Sequence, residues 1–214
     1  MTDRTGGQLL VDCLLAQGVD TAFGVPGESY LAVLDAFHDV EDRLRFVTCR
    51  QEGGAAYMAE AWGRLTGRPG ICFVTRGPGA TNASIGVHTA DQGSTPMILF
   101  VGQVGRSHRG LEAFQEIEYT SFFDDLAKWV VEVDSADDLP GVVEAAFTAA
   151  MSGRPGPVIQ AVMPIQWQSS PSTASTRSII SGRSRYCAKT GSRLKALLML
   201  LLRKPCSAGS VWRS

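Results

Sequence analysis

Hydrophobic positions along the first three-quarters of the chain switch repeatedly between two periods. Residues 8–17 place apolar side chains at 9, 10, 13, 14 and 15, a helical pattern that ends near Gly18. Residues 21–25 read as a short strand closed by Pro26-Gly27, and 30–37 as a helix with Leu31, Leu34 and Phe37 at a spacing of three. A strand over 45–49 leads into a helix over 51–65, rich in small residues: Gly53, Gly54, Ala55, Ala56, Ala59 and Ala61. Residues 71–75 form a continuous apolar run of the kind buried on both faces of a parallel sheet. A helix is predicted over 81–90, and strands over 97–101 and 129–133. A helix over 136–151, irregular at Pro140-Gly141, and a last strand over 158–162 complete the pattern.

This alternation predicts an α/β fold: a doubly wound, six-stranded parallel sheet with helices on both faces. Ligands of such sheets sit at the carboxyl ends of the strands, in the loops that open the next helix. Three of those loops are unusual: Gly24-Val-Pro-Gly27, Arg50-Gln-Glu52 and Arg76-Gly-Pro-Gly-Ala-Thr-Asn82.

Composition divides the chain in two. Its 214 residues are 44% hydrophobic, include 23 glycines and carry a net charge of −1. That average hides an asymmetry. Residues 1–168 hold all 21 acidic residues against 11 basic ones, whereas 169–214 hold nine Lys or Arg, eleven serines and no acid. The expected organisation is a folded domain over 1–165 and a basic Ser/Arg-rich tail over 166–214. The acidic body argues against nucleic-acid binding. The N-terminus lacks a charged-then-apolar signal pattern. The apolar run from Ala196 to Leu202 is far short of the ~20 residues that cross a bilayer. Five cysteines, without a CxxC pair, read as reduced thiols of a cytoplasmic protein.

Several chemistries are excluded by their motifs. There is no GxxxxGK[ST], no GxSxG and no HExxH, and Asn82 stands where GxGxxG requires its third glycine. The three histidines are dispersed and read as surface or satisfied residues. Glu52 follows a strand and opens the small-residue helix. The helix dipole favours its carboxylate, burial opposes it, and the glycines and alanines beside it admit a ring or another backbone. Such a group suits proton exchange with a bound heterocycle, although spacing alone favours a helix-terminal carboxylate with no further role. The Gly77-Pro-Gly79 turn offers backbone N–H groups to a ligand or a second subunit, or is a plain connection.

Three runs carry a resemblance. They are Phe23-Gly-Val-Pro-Gly27, Arg50-Gln-Glu-Gly-Gly-Ala-Ala-Tyr-Met-Ala-Glu-Ala-Trp-Gly-Arg64 and Thr75-Arg-Gly-Pro-Gly-Ala-Thr-Asn82, supported by Ser94–Gln103, Ala113-Phe-Gln-Glu116 and Arg154-Pro-Gly-Pro-Val158. In this order, over roughly 5–165, the chain resembles the pyrimidine-binding domain of thiamine-diphosphate enzymes, most closely the acetolactate synthase large subunit. The resemblance implies that Glu52 hydrogen-bonds the pyrimidine nitrogen N1′ of thiamine diphosphate. That contact favours the imino tautomer, which deprotonates the thiazolium carbon. A 2-keto acid is then decarboxylated and its carbanion passed to an acceptor. It further implies that Val25, Pro26 and Gly27 pack near the pyrimidine, with Pro78 and Asn82 beside it. Phe114 and Gln115 would face the reaction centre from a partner subunit, which makes a homo-oligomer the expected state.

The same family holds magnesium and diphosphate in a second domain through Gly-Asp-Gly and a later asparagine. This chain has no Asp-Gly, and Asn82 is its only asparagine, so no metal site is expected in it and a diphosphate-binding domain on another chain is implied. Where family members continue past Pro164 into an acidic or Lys-containing segment, Ile165-Gln-Trp-Gln-Ser-Ser170 departs, and the loss of every acid beyond it reads as translation in a shifted frame. The alternatives are a noncatalytic module that pairs with itself or with a full-length relative, and an unrelated α/β nucleotide binder. The keto acid and its acceptor are not legible.

Overall fold

Apolar segments, broken only by Gln160 in the last of them, form the middle of the sheet. In the computed structural model, which describes residues 4–162, strands β3 (Gly70–Val74), β4 (Met97–Gly102) and β6 (Pro157–Val162) are buried at every position. Strand β1 (Thr21–Gly24) is nearly so, whereas β2 (Arg45–Thr48) and β5 (Trp129–Val133) are half-exposed and occupy the edges. The order is β2-β1-β3-β4-β6-β5, and every neighbouring pair is parallel. This is the α/β sheet expected from the hydrophobic pattern.

Because strand side chains alternate, each central strand feeds two cores. Ile71, Phe73, Ile98 and Phe100 join one cluster with Leu10, Leu14, Val33, Phe37 and Val143. Helices α1 (Gly6–Ala16), α2 (Leu31–His38) and α6 (Leu139–Met151) therefore cover that face. Phe73 and Phe100 stack there at 4.6 Å and 10°. Cys72, Val74, Leu99 and Val101 join the other cluster, under α3 (Glu52–Thr66), α4 (Gly77–Gln92) and the four-residue α5 (Tyr119–Phe122). Small residues bring α3 and α4 together. A Cβ on Gly86 would stand 2.5 Å from that of Ala56.

Helix starts follow local chemistry. Thr5 and Gln8 form a reciprocal capping box on α1, and the Gln51 side chain accepts the Gly54 N–H at 2.8 Å to cap α3. Helix α4 begins at Gly77, four residues before the expected 81, because Pro78 needs no N–H partner in a first helical turn. Pro140 sits likewise in the first turn of α6, after a 3₁₀ turn at Ala136–Asp138, so the expected irregularity is an ordinary helix start. Tyr30 belongs to a 3₁₀ turn, Glu28–Tyr30, and not to α2. Helix α5 was not expected. The basic tail, with Cys187 and Cys206, lies outside the described residues.

The winding reverses beside β1. From β1 the chain moves out to β2, returns across β1 to β3 and continues to β4. The carboxyl ends of β1 and β3 thus flank the point where the strand order changes direction, the place where such sheets bind ligands.

Candidate functional site at the carboxyl edge

Each residue of the site is placed by the end of a strand. The loop after β1 is held by two backbone oxygens. Val25 donates its N–H to Phe73 O at 3.2 Å, and the Tyr30 hydroxyl donates to Val25 O. Gly27 lies against β3's continuation, where a Cβ would stand 2.6 Å from that of Thr75. Only glycine fits that approach. Ser29 and Thr75 share a hydrogen bond of 3.0 Å, and Pro26, between Val25 and Gly27 in the chain, is exposed.

The loop after β2 is tied back by Cys49, whose N–H donates to Gly24 O at 2.7 Å. Three residues on, Glu52 opens α3, half-buried, with its carboxylate at the positive end of a 15-residue helix. Asn82, from the second turn of α4, donates its amide Nδ2 to Glu52 Oε2 at 2.9 Å. Among the described residues, Oε1 has no hydrogen-bond partner. Burial pushes the Tyr30 phenol and the Cys72 thiol upward, and the Glu52 charge adds to both. Both groups therefore stay neutral.

Helix α4 begins one residue after Arg76, which pairs with Glu28 at 2.7 Å. The Gly77 N–H is not free for a ligand, as its sequence allowed. It donates to Gln115 O at 2.9 Å. That bond brings the loop after β4 onto the start of α4, next to the exposed Pro78. Gln115 carries a positive φ of 64°, and Phe114 beside it is 77% exposed.

The structure therefore joins Glu52 directly to Asn82, seats Val25 and Gly27 against β3, and brings the Gln115 backbone to the residue before Pro78. It does not bring the Phe114 ring into contact with the Glu52–Asn82 pair. Sequence reasoning missed the charged residues behind Phe114 and Gln115. Arg109 reaches Glu116, Glu118 and Glu132 at 3.4, 3.3 and 2.6 Å, and Gln103, fully buried, donates to Ile117 O at 3.3 Å. The one available signal was a pair of arginines, Arg106 and Arg109, just before Glu112, Glu116 and Glu118.

Fold and geometry together define a doubly wound α/β domain with a carboxylate–amide pair, Glu52 and Asn82, at its carboxyl edge. The chain is similar over residues 4–122 to the family model of the thiamine pyrophosphate enzyme N-terminal TPP binding domain. It is 44% identical over 155 residues to the mitochondrial acetolactate synthase catalytic subunit of Saccharomyces cerevisiae, covering 72% of this chain and 22% of that one. It is 40% identical over 156 residues to the acetolactate synthase of Bacillus subtilis, covering 73% and 27%. It is 41% identical over 154 residues to the acetolactate synthase isozyme 2 large subunit of Escherichia coli, covering 72% and 28%. The chain belongs to the thiamine-pyrophosphate enzyme family, through its N-terminal TPP-binding domain, and spans about a quarter of the length of these relatives.

Proposed function

We propose that this chain is the pyrimidine-side half of a thiamine-diphosphate carboligase resembling acetolactate synthase. The observation that carries the reading is the Glu52–Asn82 pair at the switch point of the sheet. Thiamine diphosphate, when bound, supplies the carbon nucleophile that takes up a 2-keto acid, releases carbon dioxide and hands the remaining carbanion to an acceptor.

The residues present fit the pyrimidine half of that cofactor. Asn82 occupies one oxygen of Glu52 and fixes the carboxylate's rotamer, leaving Oε1 to accept a ring N–H. The carboxylate sits at the positive end of α3 and faces the ring nitrogen as a hydrogen-bond acceptor. Val25, Pro26 and Gly27 line the approach with little polar competition, and Pro78 walls it from the first turn of α4. Phe114 and Gln115 serve the substrate side.

The diphosphate half calls for a magnesium ion and its ligands. Among the described residues, no group of three His, Cys, Asp or Glu is disposed to hold a metal. A diphosphate-binding domain on another chain completes the site in this reading, within a homo-oligomer. The unbridged thiols of Cys13, Cys49 and Cys72 accord with a cytoplasmic setting. No described helix is long and apolar enough to cross a membrane.

Calorimetric titration of the 214-residue chain with thiamine diphosphate and magnesium tests the reading. Saturable binding that weakens about tenfold or more in Glu52→Gln is expected, since a hydrogen bond to a charged group contributes about 1.5–3 kcal/mol. Binding that is indifferent to Glu52→Gln contradicts it, and none by a folded chain favours the noncatalytic fragment.

A further inference from the structure

The turn that carries Phe114 and Gln115 combines three features that rarely coexist without cause. It presents a large aromatic ring, Phe114, 77% accessible. Its backbone includes two non-glycine residues in the left-handed region, Glu112 at a φ of 53° and Gln115 at 64°. Yet the backbone is tied at every side. Glu116 folds back on its own turn, where Oε1 accepts the Gly110 N–H at 2.7 Å and Oε2 the Ala113 N–H at 3.1 Å. Its own N–H donates to Ala113 O at 2.9 Å. Arg109 then links the turn to the sheet. One guanidinium nitrogen, Nη1, donates to Glu116 Oε1 and Ile117 O at 3.4 Å each, and Nη2 donates to Glu132 Oε2 on β5 at 2.6 Å. Gln103 and the Gly77 N–H hold the far side through Ile117 O and Gln115 O.

Strain and apolar exposure of this kind persist only where the surroundings over-determine them. The ionic connections are costly as well. Glu132 is largely buried, with one carboxylate oxygen unpartnered among the described residues, and removing its cation would leave a buried charge.

We propose that Arg109 and Glu116 are positioning residues, which hold the 110–117 turn in the single geometry that sets Phe114 and Gln115 before the start of α4. The turn is a rigid presenter of an apolar side chain, not a loop that orders around substrate. What Phe114 and Gln115 face rests on the acetolactate-synthase-like reading, but the holding of the turn is measured without it.

The test places 4-fluorophenylalanine at position 114 of the full chain and compares wild type with Arg109→Met. A dispersed fluorine resonance is expected in the wild type. In Arg109→Met it moves to the free amino-acid shift, and the Gly110 and Ala113 amides exchange about tenfold faster while those of Ile98 and Leu99 hold. Arg109→Lys, which keeps the charge without the planar fork, recovers part of the shift. If Arg109→Met does not fold, Arg109→Lys and Glu116→Gln carry the same two readouts. Thiamine diphosphate affinity stays unchanged in Arg109→Met. A chain that takes no cofactor defeats the functional reading alone, and the fluorine result still decides this one. An unmoved resonance and unchanged exchange in the variants overturn the proposal. So does a loss of cofactor affinity with the resonance unmoved, which would place Arg109 on the cofactor instead.

Discussion

Two loops at the same edge of the sheet are held by opposite means. Around Glu52, geometry comes from the absence of side chains. Gly27 meets Thr75, and Gly86 lets α3 and α4 approach until Asn82 reaches the carboxylate. Around Phe114, geometry comes from charge, with one arginine shared among three carboxylates. Close packing sets the Glu52–Asn82 pair among small residues, which leaves room for a ring to approach. Ionic ties fix a turn whose side chains stay outward. The first kind of order resists salt and acid, and the second is sensitive to both.

The packed region should break most severely. Gly86→Leu forces a side chain into the space of Ala56, whose carbonyl carbon would lie 2.8 Å from the new Cβ. A loss of about 3 kcal/mol is expected, read as a fall in the urea midpoint, because neither helix backbone can yield without separating α3 from α4. An unchanged midpoint would show that the helices are not held as close as described.

Asn82→Ala acts more gently on the same region. It removes the amide from Glu52 Oε2 without disturbing the packing. Cofactor affinity should fall about threefold to tenfold, less than in Glu52→Gln, because Asn82 acts on the cofactor only through the orientation of Glu52. A greater loss than in Glu52→Gln would make Asn82, not Glu52, the principal contact.

Acid should loosen the ionic region. The Gly110 N–H, foremost, holds the Glu116 carboxyl below its ordinary 4.5. Burial opposes this, and the Ala113 N–H and Arg109 reinforce it. A carboxyl lowered in the fold stabilises it above the unfolded value, and that contribution is lost as pH falls below 4.5 through the folded one. Glu132 runs the other way. Burial raises it against the pull of Arg109, so its protonation comes first and relieves a cost. Glu118, Tyr119 and Arg76 share this electrostatic neighbourhood. Below pH 4.5 the melting temperature of the wild type should therefore fall more steeply than that of Glu116→Gln. Parallel curves would remove Glu116 from the account.

The contrast also marks what was legible in the sequence. A continuous apolar run announced β3, shorter strand-like segments announced β4 and β6, and the small residues of 51–65 announced a helix that another backbone can approach, with Glu52 near its head. Those signals are local, and so is the Gly-Pro-Gly start of α4, although its helix began earlier than periodicity showed. The Arg109 contacts are not local. Its carboxylate partners stand 7, 9 and 23 residues away, and Glu132 is brought to it only by the sheet. Helix α5 has four residues, too few for any period to appear. The Glu52–Asn82 pair spans 30 residues, and the family resemblance named both members without showing that they touch.

The most direct test of the central claim replaces atoms on both sides of the Glu52 contact. Thiamine diphosphate and its analogue with carbon in place of the pyrimidine N1′ are each titrated, with magnesium, into the wild-type chain and into Glu52→Gln. If Glu52 grips that nitrogen, either change alone weakens binding and the second adds almost nothing, leaving a coupling close to the full single loss. Losses that simply add would show that Glu52 and N1′ act apart, and the proposed role of this carboxylate would be wrong.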